Sequence, residues 1–236
     1  MAQKILSLAV CTAILASLAA ANWLDAADGQ RVCKPFNGKD LTGWKTVADK
    51  GGHWVVGTAK LDPVNPAKLT IAAAAAGQGE LVNAEAHGVD IYSEQEFGDG
   101  TVSLDVMVPK GSNSGIYLMG NYEIQILDSW GRDKVGPGDL GGLYGAAAPK
   151  LNAAKEPGQW QTFVIEFQAP RFQDGKKVGN AVFKKVTLNG QVIHENVEMK
   201  GVTGGNLGRG EQPKGPLMFQ GNHGAVAYRN LCVTVP

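Results

Sequence analysis

The chain has 236 residues, with 22 Lys+Arg against 22 Asp+Glu, so its formal net charge is zero and it carries no electrostatic footprint for nucleic acid or an anionic membrane. With 32 Gly, 11 Pro and 44% apolar residues, it suits many short strands joined by tight turns better than a helical bundle. This length is compatible with one β-sandwich domain and a large core.

Lys4 is followed by an almost unbroken apolar run, Ile5 to Ala21, ending in Ala19-Ala20-Ala21. A positive start, a short apolar stretch and small residues predict a secretory signal over 1–21, cleaved after Ala21. The run is short for a membrane span of about 20 residues. Residues 22–33 read as a linker and N-terminal segment, and 34–236 as the domain. Loss of the signal removes Cys11 and leaves Cys33 and Cys232, one near each end. An oxidising compartment lets two cysteines pair, so a Cys33–Cys232 disulfide and two separate thiols both stay open.

In chain order, His53 to Gly57 is a short β-prone run. Asp90 to Ser93 and Gly100 to Val108 alternate apolar and polar residues, the period of a half-buried strand. Ser114 to Met119 and Tyr122 to Asp128 follow, separated by Gly120-Asn121, a turn pair. Gly131 to Gly145 is a Gly-rich loop of the kind that lines sites. Gln161 to Phe167 alternates again. Val182 to Leu188 and Gln191 to His194 flank Asn189-Gly190, a strong hairpin signal. Leu217 to Gln220 and Ala225 to Val235 close the domain. Ala72 to Ala76 reads as loop, and no long helical stripe appears in the mature chain.

Two clusters carry candidate chemistry. Alternation in Glu123-Ile-Gln125-Ile-Leu-Asp128 puts Glu123 and Gln125 on one face and Ile124 and Ile126 on the core face. Asp128 falls out of phase unless a bulge intervenes. Tyr117, on the preceding strand, falls near these polar groups. Such a face is more often merely solvated. The second cluster is Gln220-Gly-Asn-His223-Gly followed by Tyr228-Arg229-Asn230. His223 sits in a Gly-flanked turn where it could shuttle protons. Arg229 offers a fork for an oxyanion or pairs with an acid. His53, His87 and His194 are scattered and assemble no metal site. No nucleophile elbow and no phosphate loop occurs, which disfavours an α/β serine hydrolase and a nucleotide enzyme.

Phe36-Asn-Gly-Lys-Asp-Leu-Thr-Gly-Trp44, Trp54 to Leu61, Asn113-Ser-Gly-Ile-Tyr117, Tyr122 to Asp128, Gly158-Gln-Trp160, Leu188-Asn-Gly190 and Gln220 to Asn230 together resemble, in order, the 3-keto-disaccharide hydrolase domain family. The resemblance spans Lys34 to Val235. It implies an all-β concanavalin A-like jelly roll of two antiparallel sheets, acting on glycosides oxidised at C3 in bacterial extracytoplasmic space. The 220–223 turn departs from the family, which more often has an acidic or polar residue directly before the His. Pro170 to Asn180 is longer than in shorter relatives.

The same fold class hosts glucanases with Glu-x-Asp-x-x-Glu on the catalytic strand. Here the string is Glu123-x-Gln125-x-x-Asp128, which fits a two-carboxylate mechanism poorly, since that scheme needs carboxyls about 5–5.5 Å apart. A C3 ketone instead acidifies the C2 proton and makes the C1 substituent a β leaving group. Elimination then needs a base, an oxyanion stabiliser and an acid. The expected roles are Glu123 as base, Arg229 or His223 for the enolate, and Asp128 or His223 for the leaving oxygen. Asn113, Gln125 and Gln220 would orient hydroxyls, while Tyr117 and Trp130 offer apolar faces. The expected partner is a small carbohydrate. No cofactor is identified. Jelly rolls sometimes carry a structural calcium, but no Asp-rich loop here marks one. The rival readings are a non-catalytic carbohydrate-binding module, favoured by an open aromatic groove, and a structural surface protein, favoured by the lack of a deep polar pocket.

Overall fold

The computed structural model describes residues 23–25, 30–48, 53–84 and 87–236. The expected signal segment, 1–21, lies outside the described residues. Among those described there is no helix, and the fold is the expected concanavalin-like jelly roll of two antiparallel sheets.

The strands are β1 (Trp23–Asp25), β2 (Arg31–Cys33), β3 (Trp44–Thr46), β4 (Trp54–Leu61), β5 (Leu69–Ala72), β6 (Glu80–Asn83), β7 (Ile91–Phe97), β8 (Gly100–Met107), β9 (Asn113–Leu118) and β10 (Tyr122–Leu127). They continue with β11 (Trp160–Gln168), β12 (Arg171–Gln173), β13 (Lys176–Gly179), β14 (Ala181–Leu188), β15 (Gln191–Met199), β16 (Gly215–Phe219) and β17 (Val226–Val235). The large sheet runs β15-β14-β11-β8-β17-β6-β4-β5, with β2 and then β1 added beside β17. The small sheet runs β10-β9-β16-β7-β3. β1 thus falls within the segment expected as linker.

Alternation builds the core between the sheets. Ile116, Ile124, Ile126 and Phe219 of the small sheet meet Leu104, Val106, Phe163, Ile165 and Tyr228 of the large one. An aromatic column crosses the sandwich. Trp44 stacks on Phe219 with centroids 5.5 Å apart, and Phe219 stacks on Tyr228 at 3.9 Å. Buried aromatics give large apolar burial, and such pairs add about 0.5–1.5 kcal/mol each. The Tyr228 hydroxyl is satisfied by Ser114 Oγ at 2.8 Å, and Ser114 Oγ donates to the Gln220 carbonyl at 2.6 Å.

Asn189-Gly190 makes the expected hairpin turn, with φ of 52° and 80° between β14 and β15. Between β9 and β10 the expectation shifts by one residue. Leu118 pairs with Tyr122, and the left-handed residues are Met119 (φ 58°) and Gly120 (φ 65°) rather than Gly120-Asn121. The strand therefore ends before Met119, and Asn121 N–H closes the turn on the Leu118 carbonyl. Pro170 to Asn180 forms a hairpin of its own, β12–β13, turning at Asp174-Gly175.

The Gly131–Gly145 loop has no strand, as expected, yet it lies along the open edge of β10. Gly141 N–H donates to the Gln125 carbonyl, Gln125 N–H to Gly142, and Tyr144 N–H to Glu123. His194, buried, fixes this loop from behind through a 2.7 Å contact between Nε2 and the Gly141 carbonyl.

The disulfide alternative gives way: Cys33 and Cys232 are free thiols. Cys33 pairs across the ladder with Val233, so Cys232, one residue earlier on an alternating strand, points to the opposite face. The Cys33 thiol donates to Gln95 instead, and burial pushes its ionisation up.

Candidate functional site

Alternation on β10 turns Glu123 and Gln125 to the outer face of the small sheet, away from the isoleucines. Ladder pairing then sets a row across the sheet: Glu123 opposite Tyr117, Tyr117 opposite Met218, Met218 opposite Tyr92. Gln125 pairs with Gly115. A β-carbon at Gly115 would sit 2.5 Å from Glu123 Oε1 and 2.8 Å from Tyr117 Cε2, so this glycine makes the space that the carboxyl occupies.

Glu123 is only 3% exposed. Its backbone N–H donates to Thr203 Oγ1 at 3.0 Å. Its carboxyl accepts from the Tyr117 hydroxyl, whose single proton can also serve the Gly204 carbonyl at 3.1 Å. Gln220 Nε2 approaches the same hydroxyl at 3.4 Å. Among the described residues no lysine or arginine pairs with Glu123. Burial therefore dominates its ionisation: the carboxyl is pushed up to about 7, the Tyr117 bond opposes this, and the nearby Asp90 charge adds to it. Burial and the Glu123 charge push the Tyr117 phenol far up, so it stays a neutral donor.

Around this pair lie groups from separate segments. Gln125 Nε2 donates to Asn113 Oδ1 at 2.6 Å, which aligns both side chains on the same face. Gln220 N–H donates to the Gly115 carbonyl at 3.0 Å, which brings the 220–224 turn onto the sheet beside Glu123. His223, exposed on that turn, lies within electrostatic reach of Asp90 and contacts Asn222 Oδ1. Tyr144, half exposed, stands beside Gly204 and within electrostatic reach of Tyr117. The arrangement offers a carboxyl that titrates near neutrality, amide and phenol donors beside it, and an imidazole at the rim.

Of the remaining predicted residues, Asp128 and Trp130 follow β10, and Arg229 lies on the other sheet. Asp128 stays out of phase with Glu123, and no bulge brings it back. Its Oδ2 accepts Gly111 N–H at 2.9 Å and its Oδ1 the Trp130 N–H, so it ties two loops. Arg229 is on the far side of the sandwich. Tyr228 points into the core, so its neighbour Arg229 points out from the large sheet. There it meets Asp105 at 3.2 Å and Glu80 at 3.5 Å and covers the Trp160 ring at 4.0 Å. The role of enolate stabiliser is therefore out of its reach. Trp130 is 52% exposed on the loop after β10.

Gly115, Thr203, Tyr144 and Asp90 were not anticipated as site residues. Asp90 precedes β7 in phase with Tyr92, which alternation alone could have placed on the outer face. Its closeness to Glu123 depends on the order β10-β9-β16-β7, which no local pattern contains. Among the described residues no group of three or more His, Cys, Asp or Glu is placed to hold a metal ion.

Residues 33–234 match the family described as the 3-keto-alpha-glucoside-1,2-lyase-like domain. A crystal structure of a "putative glycosyl hydrolase" from Parabacteroides distasonis superposes with TM-score 0.64 at 26% identity, covering 86% of this chain and 82% of that one. A second so described, from the same organism, gives TM-score 0.53 at 17% identity over 86% and 92%, a likeness of fold alone. No functionally curated protein matches the chain.

Proposed function

The chain belongs to the 3-keto-alpha-glucoside-1,2-lyase-like domain family, and from that premise we propose that it cleaves 3-keto-glycosides by elimination across C1–C2. The observation that carries this reading is Glu123, a buried carboxyl with no cationic partner among the described residues, pushed up to about 7. A general base works best when its ionisation lies near the working pH. The carboxylate takes the proton from C2, which the C3 ketone acidifies. The C–H electrons pass into a C2–C3 enolate. As the carbonyl re-forms, the C1–O bond breaks and the aglycone leaves with the pair. His223 at the rim supplies its proton. Gln220, whose amide carries a second N–H besides the one directed at Tyr117, is the neutral donor for the enolate oxygen, Tyr117 holds the Glu123 carboxyl, and the Asn113–Gln125 pair presents amides to sugar hydroxyls. Water then adds to the enone and gives the free 3-keto sugar.

A carbohydrate-binding module uses the same fold, and its mark would be an open, aromatic-paved face. The face found here centres on an acid held without a counter-charge, which costs stability and contributes nothing to simple stacking on a sugar. Export belongs to the same proposal and rests on Lys4 and the run Ile5 to Ala21. N-terminal sequencing of protein from the native compartment tests it, with Asn22 expected first.

The reaction is tested with 3-keto-trehalose and 3-keto-glucosides, scored for released 3-keto sugar, with plain glycosides as controls. Substrate deuterated at C2 should show a primary isotope effect and washout into solvent. Turnover without either would rule out elimination.

A further inference from the structure

A second buried carboxyl stands on the face that carries Glu123. Asp90 is 9% exposed. Its Oδ1 accepts the Gly221 N–H at 2.9 Å, and the Asn222 N–H also donates to it. Both donors belong to the 220–224 turn, which sets Gln220 against Tyr117 and carries His223. The turn has a neutral anchor as well: Asn83, fully buried, donates from Nδ2 to the carbonyls of Gly221 at 2.7 Å and Gly224 at 3.3 Å. An amide thus suffices to pin this backbone. A buried carboxylate is a costlier way to do so, and burial does push Asp90 upward. The titratable groups that face Asp90 are Glu123 from β10, Tyr117 from β9, Tyr228 from the core and His223 from the turn itself.

We propose that Asp90 is a positioning residue of this site: its carboxylate anchors the Gln220–His223 turn through backbone N–H groups, and its charge acts through space on Glu123. The inference rests on Glu123 as the base. A like charge nearby disfavours ionisation of Glu123, so Asp90 raises the proton affinity of the base while holding the turn that carries the acid. One group thereby adjusts both sides of the proposed proton transfer without touching substrate.

The test is a carbon-13 NMR titration of the Glu123 side-chain carboxyl in the free protein, beside the pH profile of kcat/KM on a 3-keto-glucoside. Asp90→Asn keeps the shape and removes the charge, and Asp90→Ser is a second variant with the same expected shift. Asn83→Ser loosens the same turn and leaves the charge. In both Asp90 variants Glu123 should titrate lower by roughly half a pH unit or more, and the rising limb of kcat/KM should move with it. In Asn83→Ser the Glu123 titration should stay put. Unchanged titration in the Asp90 variants overturns the coupling. An equal shift in Asn83→Ser overturns it too, by assigning the effect to a slack turn. A shifted titration with an unshifted limb overturns its catalytic use. The titration needs no turnover, so a wild type inactive on 3-keto-glycosides would sink the proposed reaction while leaving the coupling measurable.

Discussion

On the outer face of the large sheet, Arg229 lies between Asp105 and Glu80 and over Trp160, and Asn230 adds a 2.8 Å bond to Asp105. On the outer face of the small sheet, Glu123 has a phenol, a glycine and another acid around it. Both faces hold poorly exposed carboxyls. On the first, a cation and hydrogen bonds accompany every one named. On the second, the ionised form is disfavoured and the carboxyl gains affinity for a proton. The contrast separates acids that hold a fold together from acids that can exchange protons. It turns on whether a counter-charge accompanies the burial, not on the burial itself.

The sharpest way to break this contrast is Glu123→Gln. If the carboxyl is the base, turnover of 3-keto-glycosides should fall about 10²–10⁴-fold with the fold intact. Next comes the pH dependence of stability. Glu123 goes from 4.5 in the unfolded chain to about 7 when folded. Between those values the native state binds more protons than the unfolded state, so stability falls as pH rises through that window. The full size is at most about 3.5 kcal/mol, at ~1.4 kcal/mol per pH unit. Denaturant midpoints at pH 5 and pH 8 should differ in that direction for the wild type, and the difference should shrink in Glu123→Gln. Gly115→Ala should displace the carboxyl and cost roughly 10²-fold in kcat, since displacements near 1 Å have effects of that order. On the opposite face, Arg229→Met should leave kcat/KM within about twofold and lower stability by about 1–2 kcal/mol, read by denaturant melts, because Glu80 and Asp105 lose their cation. If Arg229→Met abolished turnover instead, the division between the two faces would fail.

Much of the sandwich was legible because its signals are local. Alternation in β8, β10 and β11 and the Asn189-Gly190 turn each lie within about ten residues. The orientation of Glu123 and Gln125 followed from the same period. The Phe36–Trp44 motif, so useful for the family resemblance, turns out to be architecture: Asn37 and Asp40 close successive turns on backbone N–H groups, and Trp44 Nε1 donates to the Pro35 carbonyl. What stayed hidden was non-local. Asp90 and Glu123 share a face because three ladders stand between their strands in the right order. Arg229 and Gln220 are close in sequence, yet the passage from β16 to β17 carries the chain from one sheet to the other. Sequence proximity therefore joined Arg229 to the wrong cluster. The shift of the β9–β10 turn onto Met119 was equally hidden, because left-handed backbone at a methionine has no propensity signal.

The loop along β10 has a consequence for how a sugar enters. By pairing with Gln125 and Glu123 it occupies the row of backbone donors and acceptors that would otherwise lie bare at the end of the sheet. A wide swing of this loop would unmask that row and invite another chain to add a strand. Entry is therefore expected from above Gly115, past the 220–224 turn, with the loop at rest. Hydrogen exchange reads this out: the Gln125 and Gly141 amides should remain protected when ligand binds and leaves, while that of the exposed His223 exchanges freely.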